Sequence, residues 1–428
     1  MPSITSRRLA AAIAVPLAVV AIAGCSSGGG SSEEEKVTEL TIPAAETPWL
    51  PSYQKIAAEY EAETGVKINL TTFPMDGLLT QEANAAQSGS NAFDVLQLNE
   101  QWVGQFYDSQ WVQPLTDIDP DFTWDEGLIE FDGVGRWDAD LRSTSPDGVP
   151  YSLPINGNIQ LFMYRTDVYD QLGLEVPTTW DEVVETGEAA RAAGAVTDGY
   201  VLRGKTPTYD FSAVLFSEGG SWFAGEAEGD WTPTIDTDEM RAALEQFKAL
   251  AAVGPAAPQT IAQAEATSLM QGGSTLQATL VTAVAAPLEN PEASRVAGKI
   301  GYAVLPGATP VSGTWTLGIP TGLPEARAKA AYDFITWLTS KETMQKWAEY
   351  GGVTTRSDIE TDRPELQALV ASEDDIRAGL RYPFAPQMLE VTEAAIGEYL
   401  AGTIDLDEAV ERMQSGVESV VEEAGFLQ

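Results

Sequence analysis

Histidine is absent from the 428 residues, and cysteine occurs once, at position 25. Without histidine there is no Ser-His-Asp or Cys-His catalysis, no imidazole metal site and no imidazole proton shuttle. A lone cysteine forms no internal disulfide, and a single thiolate leaves zinc short of its usual ligands. Basic residues are also scarce, with 24 Lys and Arg against 64 Asp and Glu and a net charge of −40. Such a chain is repelled by nucleic-acid phosphates and by anionic lipid, so neither is expected as a partner. Chemistry is left to carboxylates, amides, hydroxyls and 11 tryptophans. Asp117, Asp119 and Asp121 have the spacing of a calcium loop. Phe122, however, stands where the sharp turn needs glycine, and Leu128 where a bidentate glutamate belongs. The stretch reads as a turn, and neither a metal nor a cofactor is expected.

The single cysteine follows Arg7, Arg8 and an apolar stretch from Leu9 to Ala23 that contains no acid. That order is the charged and apolar regions of a secretory signal. The stretch is too short and too alanine-rich to read as a spanning helix, which takes about 20 strongly apolar residues. Ile22-Ala23-Gly24-Cys25 resembles the lipobox of bacterial lipoproteins, which implies cleavage after residue 24 and lipid attachment at Cys25. Ser6-Arg7-Arg8 leaves both export routes, Sec and twin-arginine, open. Residues 26–36, SSGGGSSEEEK, have nothing to bury. They read as a flexible tether averaging roughly 18 Å end to end. The expected location is the outer face of the cytoplasmic membrane, with contact to lipid through the anchor alone.

About 390 residues remain, too many for one core and suited to two. ELTIPA (39–44), VKINLTTF (66–73) and FDVLQL (93–98) read as strands. Between them, residues 51–64 and 77–88 read as helices, the first opened by proline and stopped by Gly65. Strand and helix alternating at this spacing predict βαβ units and a mainly parallel sheet. Further strands are expected at 151–155, 159–164, 299–306 and 315–320. Helices are expected at 178–194, 237–253, 260–271 and 324–340, and nearly throughout from Pro364 onward. No internal repeat is present, and past the tether no low-complexity tract.

Four stretches, in order, resemble the extracellular solute-binding proteins of ABC importers, the group that includes maltose-binding protein. They are FDVLQLNEQWVGQFYDSQWVQPL (93–115), PYSLPINGNIQLFMYRTDVYDQLGLEVPTTWDEV (150–183), GKIGYAVLPG with GTWTLGIP (298–320), and RYPFAPQMLEVTEAAIGEYLAGTIDLDEAV (381–410). Gln110 stands where that family has glycine, Arg165 where it commonly has asparagine, and Thr314 is inserted before Trp315. The resemblance implies an α/β fold of two lobes closing on a ligand through a hinge. By position, residues 37–153 and 306–354 form one lobe, and 154–305 and 355–428 the other. Ligands in open α/β sheets sit beyond the carboxyl ends of strands. Glu46 and Trp49, Asp76, and Asn99 and Glu100 follow the first three strands. The resemblance adds Asn156 and Asn158 at the crossover, Tyr209 and Asp210, Trp315, and Arg381 as ligand-binding candidates. Trp222 reads as core. Around 274–286, where relatives often carry a tryptophan, this chain has threonines and Gln277.

Aromatic faces and charged hydrogen-bonding groups suit a sugar. The leading expectation is a monomeric, non-enzymatic binding lipoprotein that passes a mono- or oligosaccharide or a polyol to an ABC permease. A cationic solute such as a polyamine, held by acids and tryptophans, is the alternative. A glycosidase working through two carboxylates is the third reading.

Overall fold

The first βαβ unit comprises β1 (Glu39–Ala45), α1 (Leu50–Thr64) and β2 (Lys67–Phe73). Proline opens α1, and Gly65, at φ 76°, ends it by donating its N–H to the Glu61 carbonyl. β1 and β2 pair in parallel from Glu39↔Lys67 to Ala45↔Phe73. α2 (Met75–Ser88) then leads to β3 (Leu96–Asn99) and directly into α3 (Glu100–Asp108). Pro43 has no N–H to offer β3, and side chains close that seam instead. Thr41 N–H donates to Asp94 Oδ2 and Ala45 N–H to Gln97 Oε1, both at 2.7 Å. The buried Glu82 accepts the Gln97 N–H.

The remaining strands are β4 (Arg136–Trp137), β5 (Val149–Pro150), β6 (Ser152–Asn156), β7 (Gln160–Arg165), β8 (Phe223–Gly225), β9 (Asp230–Pro233), β10 (Gln277–Val281), β11 (Ile300–Ala303) and β12 (Trp315–Gly318). β4 pairs with β5 and β8 with β9 as short ribbons, while β3-β12-β6 and β10-β7-β11 are three-stranded sheets. Apart from β1–β2, every pairing between these strands is antiparallel, and among the isolated bridges Asp198↔Thr275, Val201↔Ala278 and Val311↔Arg377 are parallel. The expectation of a mainly parallel sheet is therefore corrected. The chain leaves the first sheet at β6, enters the second at β7, and returns from β11 to β12, so the later strands run back against their neighbours.

The computed structural model describes residues 36–427, and from Lys36 onward the chain clusters as one unit. The signal segment, Cys25 and most of the tether lie outside the described residues. Helices 325–338 and 341–349 pack with α1 around Tyr53, Tyr60, Phe334 and Trp347. On the other side, helices 180–192, 208–217, 238–252, 385–401 and 406–423 enclose Phe211, Phe247, Met388, Ile396 and Val417. Trp222 is fully buried there and donates its indole N–H to Ser212 Oγ, in keeping with its reading as core. Asp119 accepts from Asp121 N–H and from the Tyr332 hydroxyl, which makes the acidic stretch a turn tied to a helix. Among the described residues, no helix is long and apolar enough to cross a membrane.

Candidate functional site

The carboxyl end of β3, the start of β12 and the end of β6 meet at one level. Trp315 lies opposite Asn99 on one side and Asn156 on the other, with a register shift just after it. Trp49, contributed by the turn between β1 and α1, meets Trp315 edge to face at 5.9 Å, and Trp102 of α3 meets it at 5.6 Å. Three strand ends and two helix starts therefore converge on an aromatic floor.

Amides border that floor. Asn99 caps α3, accepting from Gln101 N–H. Asn156 is wholly buried, and its Oδ1 accepts from Val353 N–H at 3.2 Å. That bond orients the amide, and its Nδ2 has no hydrogen-bond partner among the described residues. Asn158 accepts the Ala283 N–H on its side chain and the Gly313 N–H on its carbonyl. Tyr209 donates its hydroxyl to the Val311 carbonyl at 2.9 Å, and burial pushes its phenol well above the usual range. A Cβ on Gly313 would stand 2.8 Å from that hydroxyl, so glycine permits the close approach.

The charged candidates are occupied by other parts of the protein. Glu100 accepts from Thr314 N–H (2.9 Å), Gly379 N–H (2.8 Å) and Arg381 Nε (2.6 Å). The rest of the Arg381 guanidinium donates to the carbonyls of Asp132 and Phe131. Asp210 is paired with Arg203 and also accepts from Gln160 Nε2 at 3.1 Å. Glu46 is exposed on the loop after β1. Asp76 lies in the first turn of α2, and its side chain is not among those described.

The structure therefore brings together Trp49, Asn99, Glu100, Asn156, Asn158, Tyr209, Trp315 and Arg381, with Asp210 directly behind Tyr209. Gln277 faces away: it is buried, accepts the Tyr169 hydroxyl and donates to the Val183 carbonyl. Beside Asn158 the segment 274–286 instead contributes Ala283, with Thr282 bonded to Ile159 next to it. Sequence reasoning missed Arg203, Gln160 and Gly379. Their partners lie 7, 50 and 279 residues away, and no local motif marks them. The cavities lined by Trp111, Glu349 and Glu245 involve none of these residues.

The chain is 24% identical over 387 residues to a probable amino-acid ABC transporter periplasmic-binding protein of Sinorhizobium fredii, covering 87% of this chain and 86% of that one. It is 22% identical over 380 residues to the erythritol/L-threitol-binding protein of Mycolicibacterium smegmatis, covering 80% and 78%. An ABC transporter solute-binding protein of Agrobacterium vitis with bound D-mannitol superposes with a TM-score of 0.73 at 23% identity, over 91% of this chain and all of that one. That likeness gives the fold, two α/β lobes with a ligand gap between them. Residues 44–345 match the profile of bacterial extracellular solute-binding proteins, and the chain belongs to that family.

Proposed function

We propose that this protein is the substrate-binding component of an ABC importer, taking a sugar or polyol between its lobes and presenting it to a membrane permease. In this reading residues 1–24 are a cleaved lipoprotein signal and Cys25 carries the lipid. Residues 25–36 are the tether, 37–153 with 306–354 form one lobe, and 154–305 with 355–428 form the other. The protein works as a monomer and performs no chemistry on its cargo. Closure is driven by the solute binding the closed arrangement better than the open one.

The observation that carries this reading is the Asn156 amide. Its Nδ2 is a buried donor with no partner, at the level of Trp315, and leaving such a group unmet costs about 1–3 kcal/mol. A neutral hydroxyl satisfies it while its carbon framework lies against Trp49 or Trp315. An ammonium ion has only donors to offer, and Glu100 and Asp210 already hold arginines. A solute carboxylate meets the converse obstacle, because Arg381 and Arg203 are engaged. A relative named for erythritol and L-threitol and a structural neighbour found with D-mannitol support a hydroxyl-rich cargo. Glu46, Asp76, Asn99, Asn158 and Tyr209 are proposed to line the same gap.

Titration calorimetry against D-mannitol, ribitol, erythritol, maltose, putrescine and glutamate tests this. The expected result is binding of at least one neutral polyol or sugar, with an affinity nearly independent of salt. Asn156→Ala is expected to weaken it about tenfold, one lost hydrogen bond. Heat from putrescine alone, falling steeply with salt, would replace this reading with the cationic one.

A further inference from the structure

Residues 311–314 form the connection that carries the chain from β11 toward β12, and each of their backbone N–H groups donates to a different residue. Val311 N–H donates to Gln160 Oε1 at 3.0 Å, and the Val311 carbonyl accepts from the Tyr209 hydroxyl. Ser312 N–H donates to the Arg377 carbonyl at 2.9 Å and Gly313 N–H to the Asn158 carbonyl at 2.8 Å. Thr314 N–H donates to Glu100 Oε2 at 2.9 Å. Within four residues the strand passes from side chains on β7 and helix 208–217 to the first residue of α3.

A buried ion pair lies behind each end. At the Val311 end, Arg203 donates to both oxygens of Asp210 and, at 2.7 Å, to Gln263 Oε1. Gln160, bound to Asp210 and to the Tyr209 carbonyl, transmits that grip. At the Thr314 end, Glu100 and Arg381 have side chains 1% and 2% exposed. The two ends differ in what they join. Residues 160, 203, 210 and 263 all belong to the half built around β7. The Glu100 carboxylate instead holds two separate segments at once, the strand at Thr314 and the strap at Gly379 and Arg381. The strap also donates Ala378 N–H to Asp132 Oδ2 at 3.0 Å. Directly after Arg381 it enters the opposite core, where Tyr382 packs on Phe223 and Trp231.

We infer that the Glu100–Arg381 pair is a latch on the hinge, with Arg203–Asp210 as the fixed anchor of the same strand, and that these four charged groups are positioning residues rather than ligand contacts. The inference rests on the two-lobe reading but not on the identity of the cargo. Separating the halves must either carry the strap away from Glu100 or stretch the strand at Thr314. The carboxylate has three donors converging on it and tolerates neither movement gradually. A buried pair of this kind favours one arrangement over its neighbours, because a half-broken pair leaves a charge unmatched.

The test uses ligand-free protein, with amide hydrogen exchange resolved at Thr314, Ala378 and Gly379 and the radius of gyration from solution scattering. Glu100→Gln sets an amide N–H among groups that donate. Exchange at Thr314 and Gly379 is expected to quicken at least tenfold and the radius to increase, while amides of β7 and β10 keep their protection. Arg381→Lys keeps the charge but cannot reach Glu100 and two carbonyls together. It is expected to act in the same direction and supplies the answer if the Gln variant does not fold. Arg377→Ala removes an exposed charge from the same strap and is expected to leave the exchange rates and the radius unchanged. Wild-type exchange at Thr314 and Gly379 in Arg381→Lys, or an equal effect from Arg377→Ala, overturns the latch. A calorimetric panel without heat would overturn the transport reading and leave this inference standing.

Discussion

Gly104, inside α3, faces the backbone of the strap, and Gly104→Ala isolates the value of that contact. A Cβ built there lies 1.9 Å from the Arg381 carbonyl oxygen and 2.8 Å from two backbone carbons. Contacts under 3.0 Å do not occur, so strap and helix must part by more than 1 Å. The Arg381–Glu100 bond, now 2.6 Å, would then exceed the usual hydrogen-bond limit of about 3.2 Å. Alanine improves helix propensity by about 1 kcal/mol, whereas breaking a buried ion pair costs about 3–5 kcal/mol. The net expectation is a loss of about 2–4 kcal/mol, read as a lower urea midpoint at unchanged slope. Gly397, in the interior of helix 385–401, has nothing within 4 Å of a Cβ. There the same substitution should stabilise by up to about 1 kcal/mol. If Gly104→Ala proves as stable as wild type, the strap is not seated on α3 and the reasoning about the latch fails with it.

Burial pushes the Glu226 carboxyl up to about 7, although it accepts the Tyr382 hydroxyl at 2.6 Å. Between an ordinary carboxylate pKa and 7 the folded state keeps a proton that the unfolded chain has lost. Stability therefore falls as pH rises through that window, by at most about 3 kcal/mol. Denaturation midpoints between pH 4.5 and 7.5 should slope less in Glu226→Gln, and an unchanged slope refutes this. Glu82 is raised by the same cause, full burial, so Glu82→Gln should gain stability over wild type above neutral pH, and a loss there would contradict it. Trp315→Ala removes a ring wedged between Trp49 and Trp102 and should cost about 3–5 kcal/mol. A thermal midpoint near wild type would show the floor to be looser than described.

The first βαβ unit was legible because its signals are local. Proline before α1, Gly65 after it and the alternation in β1 lie within a few residues of what they determine. Sheet direction was not legible, because β12 is separated from its partners β3 and β6 by more than 150 residues and nothing in WTLG records the side from which it arrives. At the site, Trp315, Asn99 and Asn156 could be found from strand-end positions and the family resemblance. Glu100 was identified as important, but a carboxylate looks the same in sequence whether it meets a hydroxyl or an arginine. Arg381 is 281 residues away, and only the folded chain shows that the two neutralise each other. Gln277 failed for a related reason. The resemblance placed it in a segment that lines the gap in relatives, but the strand β10 was not read there, and the face it occupies is set by Tyr169 and Val183.

Arginines are few here, yet Arg203, Arg356 and Arg381 are only 7%, 3% and 2% exposed. Each faces a carboxylate within the fold or at its edge. Asp210 and Glu100 are buried with their arginines, so these pairs cancel inside the fold and the excess of carboxylates is left to the surface. Neighbouring copies repel one another at low ionic strength and approach more freely as salt rises, so crowding of this protein is governed by the electrolyte around it.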